Sequence, residues 1–202
     1  MGGVRTPGRV IVVIPFREGG KSRLPERLRR EAGLAMLADV LAAAAGNGRV
    51  LVVTDDPEGA RVAADLGAVL VPDPGTGQGA AVAAALVGAT GPCLVVNADL
   101  PCATSADLAL LVGIACRGAF GLVAAPDGTT NALALPSPAA FAPLYGAGSA
   151  ARFRAHGTAL GLELVEPPLA GLTQDVDTIA DLERLPGGVG PRTHALLEAV
   201  GA

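Results

Sequence analysis

A single lysine stands among the fifteen Lys and Arg residues of this chain, and it directly follows two glycines, Gly19-Gly20-Lys21. The run "VIVVIPFREGGKSRL" reads as an apolar strand, a glycine loop carrying cations, and the start of a helix. Backbone N–H groups of such a loop, and the positive end of the helix dipole, attract phosphate. Lys21 adds a point charge, and Arg17 and Arg23 offer forked donors. The pattern predicts a nucleotide-phosphate site at Arg17, Gly19, Gly20, Lys21 and Arg23; the plain alternative is a solvated surface lysine. "GGKS" also resembles the end of a P-loop, GxxxxGK[ST]. The first glycine of that motif would fall on Pro15, which lacks an N–H and fixes φ, so a P-loop kinase is the weaker reading.

Asp99 falls two residues beyond the apolar run "CLVVN". Sites in open α/β sheets gather at the carboxyl ends of strands, where a carboxylate can take Mg²⁺ against triphosphate oxygens. The alternative is that Asp99 caps a helix near Ser105. A second acidic pair, Asp175 and Asp177, shares one face if its segment is extended, unless Asp177 or Thr178 caps the helix that follows. Asp99, Asp175 and Asp177 together predict a Mg²⁺ site drawn from distant parts of the chain. Lys21 and Asp99 are the residues expected to carry catalysis. No Ser/His/Asp triad competes with this reading, and no GxGxxG follows the first strand, which disfavours a dehydrogenase. "TDDP" at Thr54–Pro57 reads as a helix cap.

These residues need elements to position them. Short β-branched runs alternate with Ala/Leu-rich segments, the pattern of a mainly parallel sheet flanked by helices. Strands are predicted at Arg9–Pro15, Arg49–Thr54, Ala68–Val71, Cys93–Asn97, Gly121–Ala125, Ala132–Leu135 and Leu162–Val165. Helices are predicted at Leu28–Ala45, Pro57–Leu66, Gly79–Val87, Ser105–Cys116, Pro138–Leu144, Ala150–Leu160 and Thr178–Leu185. This is one α/β, Rossmann-like domain over residues 9–185. Residues 186–202 add a flexible "PGGVGP" linker and a short helix at Thr193–Val200.

Composition excludes several classes. A net charge of -4 argues against a nucleic-acid surface, which normally shows a basic excess. The three cysteines have no CxxC spacing, which suits a reducing cytoplasm better than a disulfide or zinc framework. Cys93 and Cys116 read as small core residues. Gly79–Ala98 is uncharged over the length of a membrane span, but Gly91-Pro92 breaks it into helix, turn and strand. A soluble, cytoplasmic protein is expected.

The segments "IPFREGGKSRL", "VVTDDP", "VVNADLP", "DGTTNAL", "YGAGS" and "DVDT" stand in the order of the guanylyltransferases of coenzyme F420 biosynthesis, and from about Arg9 to Leu185 the chain resembles that family. The resemblance implies a glycosyltransferase-A-like nucleotidyltransferase fold and a transfer of GMP from GTP to a small phosphorylated acid, with pyrophosphate released. The acid would be phosphoenolpyruvate or 2-phospho-L-lactate; a high-GC composition tilts towards the former. The resemblance further implies that Thr130, Gly146 and Ser149 hold the acceptor and that Asp99, Asp175 and Asp177 bind metal. It also implies a downstream F420 ligase or transferase as a partner. Two departures stand out. The nucleotide loop reads "DPGTGQGAAV", with Gly77 and Gln78 available for binding and Gly79 where the family carries Asn. The basic or His position after the Gly-Ser pair is represented by Arg152, Arg154 and His156. The alternatives are a molybdenum-cofactor-type nucleotidyltransferase, a P-loop-like kinase and a non-catalytic nucleotide-binding module.

Overall fold

The computed structural model describes residues 10–17, 26–175 and 188–201. Seven strands form one sheet in the order β3-β2-β1-β4-β6-β5-β7. They are β1 (Ile11–Pro15), β2 (Arg49–Val53), β3 (Val69–Val71), β4 (Cys93–Val96), β5 (Phe120–Ala124), β6 (Thr130–Leu135) and β7 (Leu164–Val165). β1 pairs in parallel with β2 and β4, and β2 with β3. β6 runs antiparallel to β4 and β5, and β7 returns parallel to β5. The start of β6 therefore lies at the same sheet edge as the carboxyl ends of β1–β4.

Apolar runs without alternation place β1 and β4 at the centre, because both of their faces are covered. Val12 and Ile14 enter one core with Leu94 and Val96; Ile11 and Val13 enter the other with Cys93 and Val95. Each fully buried aliphatic side chain contributes about 2 kcal/mol. A one-residue slip would exchange the two sets between faces, so the register Val13↔Leu51 and Val13↔Val95 is strongly specified. The helices are α1 (Glu26–Ala44), α2 (Pro57–Asp65), α3 (Gln78–Leu86), α4 (Ser105–Cys116), α5 (Ser149–Ala159), α6 (Ala170–Thr173) and α7 (Pro191–Gly201).

The starts of two of these helices settle points left open by the sequence. Asp56 caps α2, accepting from Gly59 N at 2.6 Å, as "TDDP" predicts. Thr104, not Asp99, caps α4 in a reciprocal box with Asp107, so Asp99 is not used there. Elsewhere the structure corrects the expectation. Pro138–Leu144 is not a helix: only Pro138–Ala140 makes a 3₁₀ turn, and Phe141 is already extended. Pro143 explains the stop, since a proline pushes the residue before it away from helical ψ. Cys116 is exposed rather than core, while Cys93 is buried. α6 was not anticipated. The helix predicted at Thr178–Leu185 lies outside the described residues.

α7 packs along α1. Asp39 of α1 is buried, and its carboxylate accepts from Arg192 N at 3.2 Å and Thr193 N at 2.9 Å, satisfying the first amides of α7. Just before the helix, Gly190 N donates to Pro101 O at 2.7 Å. Residues 188–201 are thus docked onto the domain through α1 and Pro101. No helix among the described residues is long and apolar enough to cross a membrane.

Candidate active site

Loops at the carboxyl edge of β1–β4, together with the start of β6, carry most of the described candidate residues. Arg17 follows β1, and its Nη2 and Nε donate to Asp73 Oδ2 at 2.9 and 3.2 Å. Asp73 also accepts from Gly75 N at 2.8 Å. Arg17 therefore braces the loop after β1 against the loop after β3, ahead of the Gly77-Gln78 turn. Gly19, Gly20, Lys21 and Arg23 lie outside the described residues, as does Asp177.

Gly77 has φ 110° and precedes α3, a conformation that favours glycine. Gln78 opens that helix, and its Nε2 donates to Asn97 Oδ1 at 2.7 Å. Asn97 ends the β4 segment two residues before Asp99 and donates through Nδ2 to Thr130 O at 3.2 Å. Its backbone N donates to Asn131 O at 3.0 Å. Thr130 and Ser149 are buried, and their hydroxyl oxygens are 3.0 Å apart. The turn before Thr130 is held against α5 by Ala150 N donating to Gly128 O at 3.1 Å. Two hydroxyls nineteen residues apart in sequence are thereby brought together.

The loop carrying Gly146 wraps over the start of α5. Arg152 holds it: its guanidinium donates to Leu144 O at 2.9 and 3.1 Å, to Tyr145 O at 3.1 Å and to Ala147 O at 2.6 Å. Gly146 and Gly148 supply positive φ of 106° and 69°. Tyr145 packs edge-on against Phe153 at 5.2 Å, and burial pushes its phenol pKa up, keeping it neutral. Of the other basic residues after the Gly-Ser pair, Arg154 forms a two-pronged pair with Glu166 at 2.8 and 2.7 Å. That hydrogen bond holds the Glu166 carboxyl below its usual range. His156 places a ring nitrogen 3.2 Å from Ala140 O. Each of the three has a structural partner.

Asp99 is half-buried beyond β4. Asn131, next to Thr130 on β6, is buried and donates from Nδ2 to Leu172 O and Thr173 O, both at 3.0 Å. Asn131 thus ties the segment just before Asp175 to β6, alongside the end of β4. Its own Oδ1 is a buried oxygen without a donor among the described residues. No cluster of three His, Cys, Asp or Glu side chains forms among the described residues.

Gly79 gains a physical reason. A Cβ there would lie 2.7 Å from Pro143 Cβ and 3.0 Å from its Cα, so any side chain would collide with the loop ahead of Gly146. Asn97, Asn131 and the bracing role of Arg152 are the features that sequence reasoning missed. The signal for Asn97 was present: a polar residue closing an otherwise apolar strand beside Asp99.

A family model described as a MobA-like NTP transferase domain matches residues 19–192. The phosphoenolpyruvate guanylyltransferase of Sphaerobacter thermophilus is 39% identical, covering 88% of this chain and 92% of its own. The enzyme of that name from Streptomyces coelicolor is 40% identical over 93% of this chain and 94% of its own. A solved structure from Desulfovibrio desulfuricans G20, assigned as a nucleotide-diphospho-sugar transferase, superimposes with a TM-score of 0.75. It covers 95% of each chain at 16% identity, and so speaks to the fold alone. The chain belongs to the MobA-like NTP transferase family, in the group that carries the phosphoenolpyruvate guanylyltransferases, and is a nucleotidyltransferase.

Proposed function

We propose that this chain is a guanylyltransferase that moves GMP from GTP onto a small phosphorylated acid and releases pyrophosphate, serving coenzyme F420 biosynthesis. Phosphoenolpyruvate is the favoured acceptor, after the names of the relatives; 2-phospho-L-lactate is the alternative. The observation that carries the reading is the Thr130–Ser149 hydroxyl pair beneath an Arg152-braced glycine loop, joined through Asn97 to the start of α3. An acidic acceptor would sit on the hydroxyls and the Gly146 loop, and the nucleotide on the α3 side of Asn97.

An acceptor phosphate is already ionised at neutral pH, so in-line attack on the α-phosphorus needs no strong base. Catalysis then rests on alignment and charge neutralisation. Lys21 and Arg23, with the Gly19-Gly20 amides, would hold the triphosphate, and Arg17 would keep the neighbouring loop in register through Asp73. Asp99, Asp175 and Asp177 would hold Mg²⁺. An all-oxygen donor set suits that hard cation, and Asn131 Oδ1 adds a buried oxygen that meets no donor among the described residues. Bound there, the metal supplies charge neutralisation at the phosphates. The cytoplasm is the proposed location, and hand-over to a downstream ligase or transferase the proposed partnership.

The test is pyrophosphate release across GTP, ATP, CTP and UTP with phosphoenolpyruvate, 2-phospholactate and 3-phosphoglycerate. GTP with phosphoenolpyruvate should be the productive pair, and Lys21→Ala or Asp99→Ala should abolish turnover in a folded protein. Formation of a nucleoside diphosphate instead would favour the kinase reading. Near-normal turnover in either variant would sink the mechanism.

A further inference from the structure

The hydrogen bonds around Asn97 fix the direction in which two amides point. Thr130 O is a carbonyl and can only accept, so the Asn97 group 3.2 Å away must be its NH₂. That leaves Asn97 Oδ1 facing Gln78, and an oxygen there can only be met by the Gln78 NH₂, at 2.7 Å. Asn and Gln amides are otherwise free to be placed either way round; here a backbone carbonyl at one end decides both. The outcome is that Gln78 presents Oε1, an acceptor, away from Asn97. This oxygen meets no donor among the described residues, and Gln78 is half-buried at the start of α3.

An outward acceptor in this cleft selects its ligand. Above pH 7 the triphosphate and a phosphorylated carboxylic acid such as phosphoenolpyruvate are ionised and offer oxygen acceptors only. Against Gln78 Oε1 they would be repelled. The donors in the substrates of the proposed reaction are on the nucleoside: N1–H and the 2-amino group of guanine, and the two ribose hydroxyls. Gln78 has its NH₂ committed to Asn97, so the oxygen it turns outward has no donor to offer a phosphate.

We propose that Gln78 is a specificity-determining residue whose Oε1 accepts a hydrogen bond from a donor of the nucleoside, and that Asn97 is the positioning residue that fixes this polarity from Thr130 O. The proposal rests on the nucleotidyltransferase reading and deepens it. At Gly79 Pro143 leaves no room for a side chain. Gln78, one residue earlier, provides a side-chain amide in that turn.

The test is GTP binding to the full chain by titration calorimetry, with Mg²⁺ and without acceptor, for the wild type, Gln78→Met, Asn97→Ala and the double variant. Four analogues each delete one donor: inosine triphosphate, N1-methyl-GTP, 2′-deoxy-GTP and 3′-deoxy-GTP. Loss of one neutral hydrogen bond corresponds to a weakening of about fivefold to tenfold. Gln78→Met should lose that much for GTP. One analogue should carry the same penalty on the wild type and none on Gln78→Met; a base analogue or a ribose analogue in that position identifies the source of the donor. Asn97→Ala should weaken GTP in the wild-type background and add nothing in the Gln78→Met background, a non-additivity that a merely structural role would not produce.

Unchanged GTP affinity in Gln78→Met, or analogue penalties that persist undiminished in it, overturns the proposal. Additive losses overturn the part assigned to Asn97. Pyrophosphate release measured in parallel separates the two levels. A wild type that binds GTP but transfers nothing overturns the function alone, and one that binds no GTP overturns both.

Discussion

At the residue scale, Arg152 spends its charge on main-chain carbonyls of the loop that carries Gly146. Its guanidinium is shared among the carbonyls of Leu144, Tyr145 and Ala147, a task that needs a planar fork and that a lysine ammonium cannot reproduce. Arg152→Lys should therefore raise KM for the acceptor about tenfold, from loosening worth roughly 1.4 kcal/mol, and leave KM for GTP near its starting value. Steady-state kinetics with each substrate varied in turn checks this; an effect confined to GTP would contradict it. Cysteines give a second residue-scale expectation. Burial pushes the Cys93 thiol up to about 11, while Cys116 is exposed. Iodoacetamide at pH 8, followed by peptide mass analysis, should label Cys116 and spare Cys93, because the thiolate is the reactive form. Lys21 and Asp99 are candidates nominated by the sequence alone, because a charge beside glycines, or just past an apolar strand, is informative by itself; Lys21 lies outside the described residues. Asn97 was visible only as a polar residue closing an apolar strand; its role was not, since that depends on Gln78 nineteen residues earlier and Thr130 thirty-three residues later.

At the element scale, the strands were legible where both faces are buried, because unbroken apolar runs such as "VIVVI" have few other uses. The segment 138–144 was misread as helix, since its apolar residues fit a helical stripe while Pro143 forbids one. That same proline decides the fate of Gly79. Replacing a helical glycine gains about 1 kcal/mol in propensity with alanine and only a few tenths with asparagine, but overpacking against Pro143 costs roughly 1–3 kcal/mol, and the obstacle includes main-chain Cα. The clash wins. Gly79→Asn should lower the melting temperature by several degrees and weaken acceptor binding by displacing the 141–148 segment. A thermal melt no lower than wild type would show that the loop yields freely.

At the scale of the whole molecule, α7 closes onto α1 and onto the segment after Asp99, a contact that no local pattern announces. Asp39 lies 153 residues from Arg192 and is one acidic residue inside an alanine-rich helix. The pair of backbone bonds it accepts is charge-assisted and sheltered, so Asp39→Ala should cost about 3 kcal/mol, seen as a lower denaturant midpoint. Because Gly190 N is bonded to Pro101 O, two residues beyond Asp99, turnover should fall in the same variant. Unchanged stability would mean that α7 is only loosely attached. The central claim concerns the bond that is made, and phosphorus NMR of the chain with GTP, phosphoenolpyruvate and Mg²⁺ reads it directly. The account predicts the paired signals of an unsymmetrical diphosphate, joining GMP to the acid, together with equimolar pyrophosphate. GDP in place of pyrophosphate, or GTP left unchanged while the protein remains folded, would contradict it.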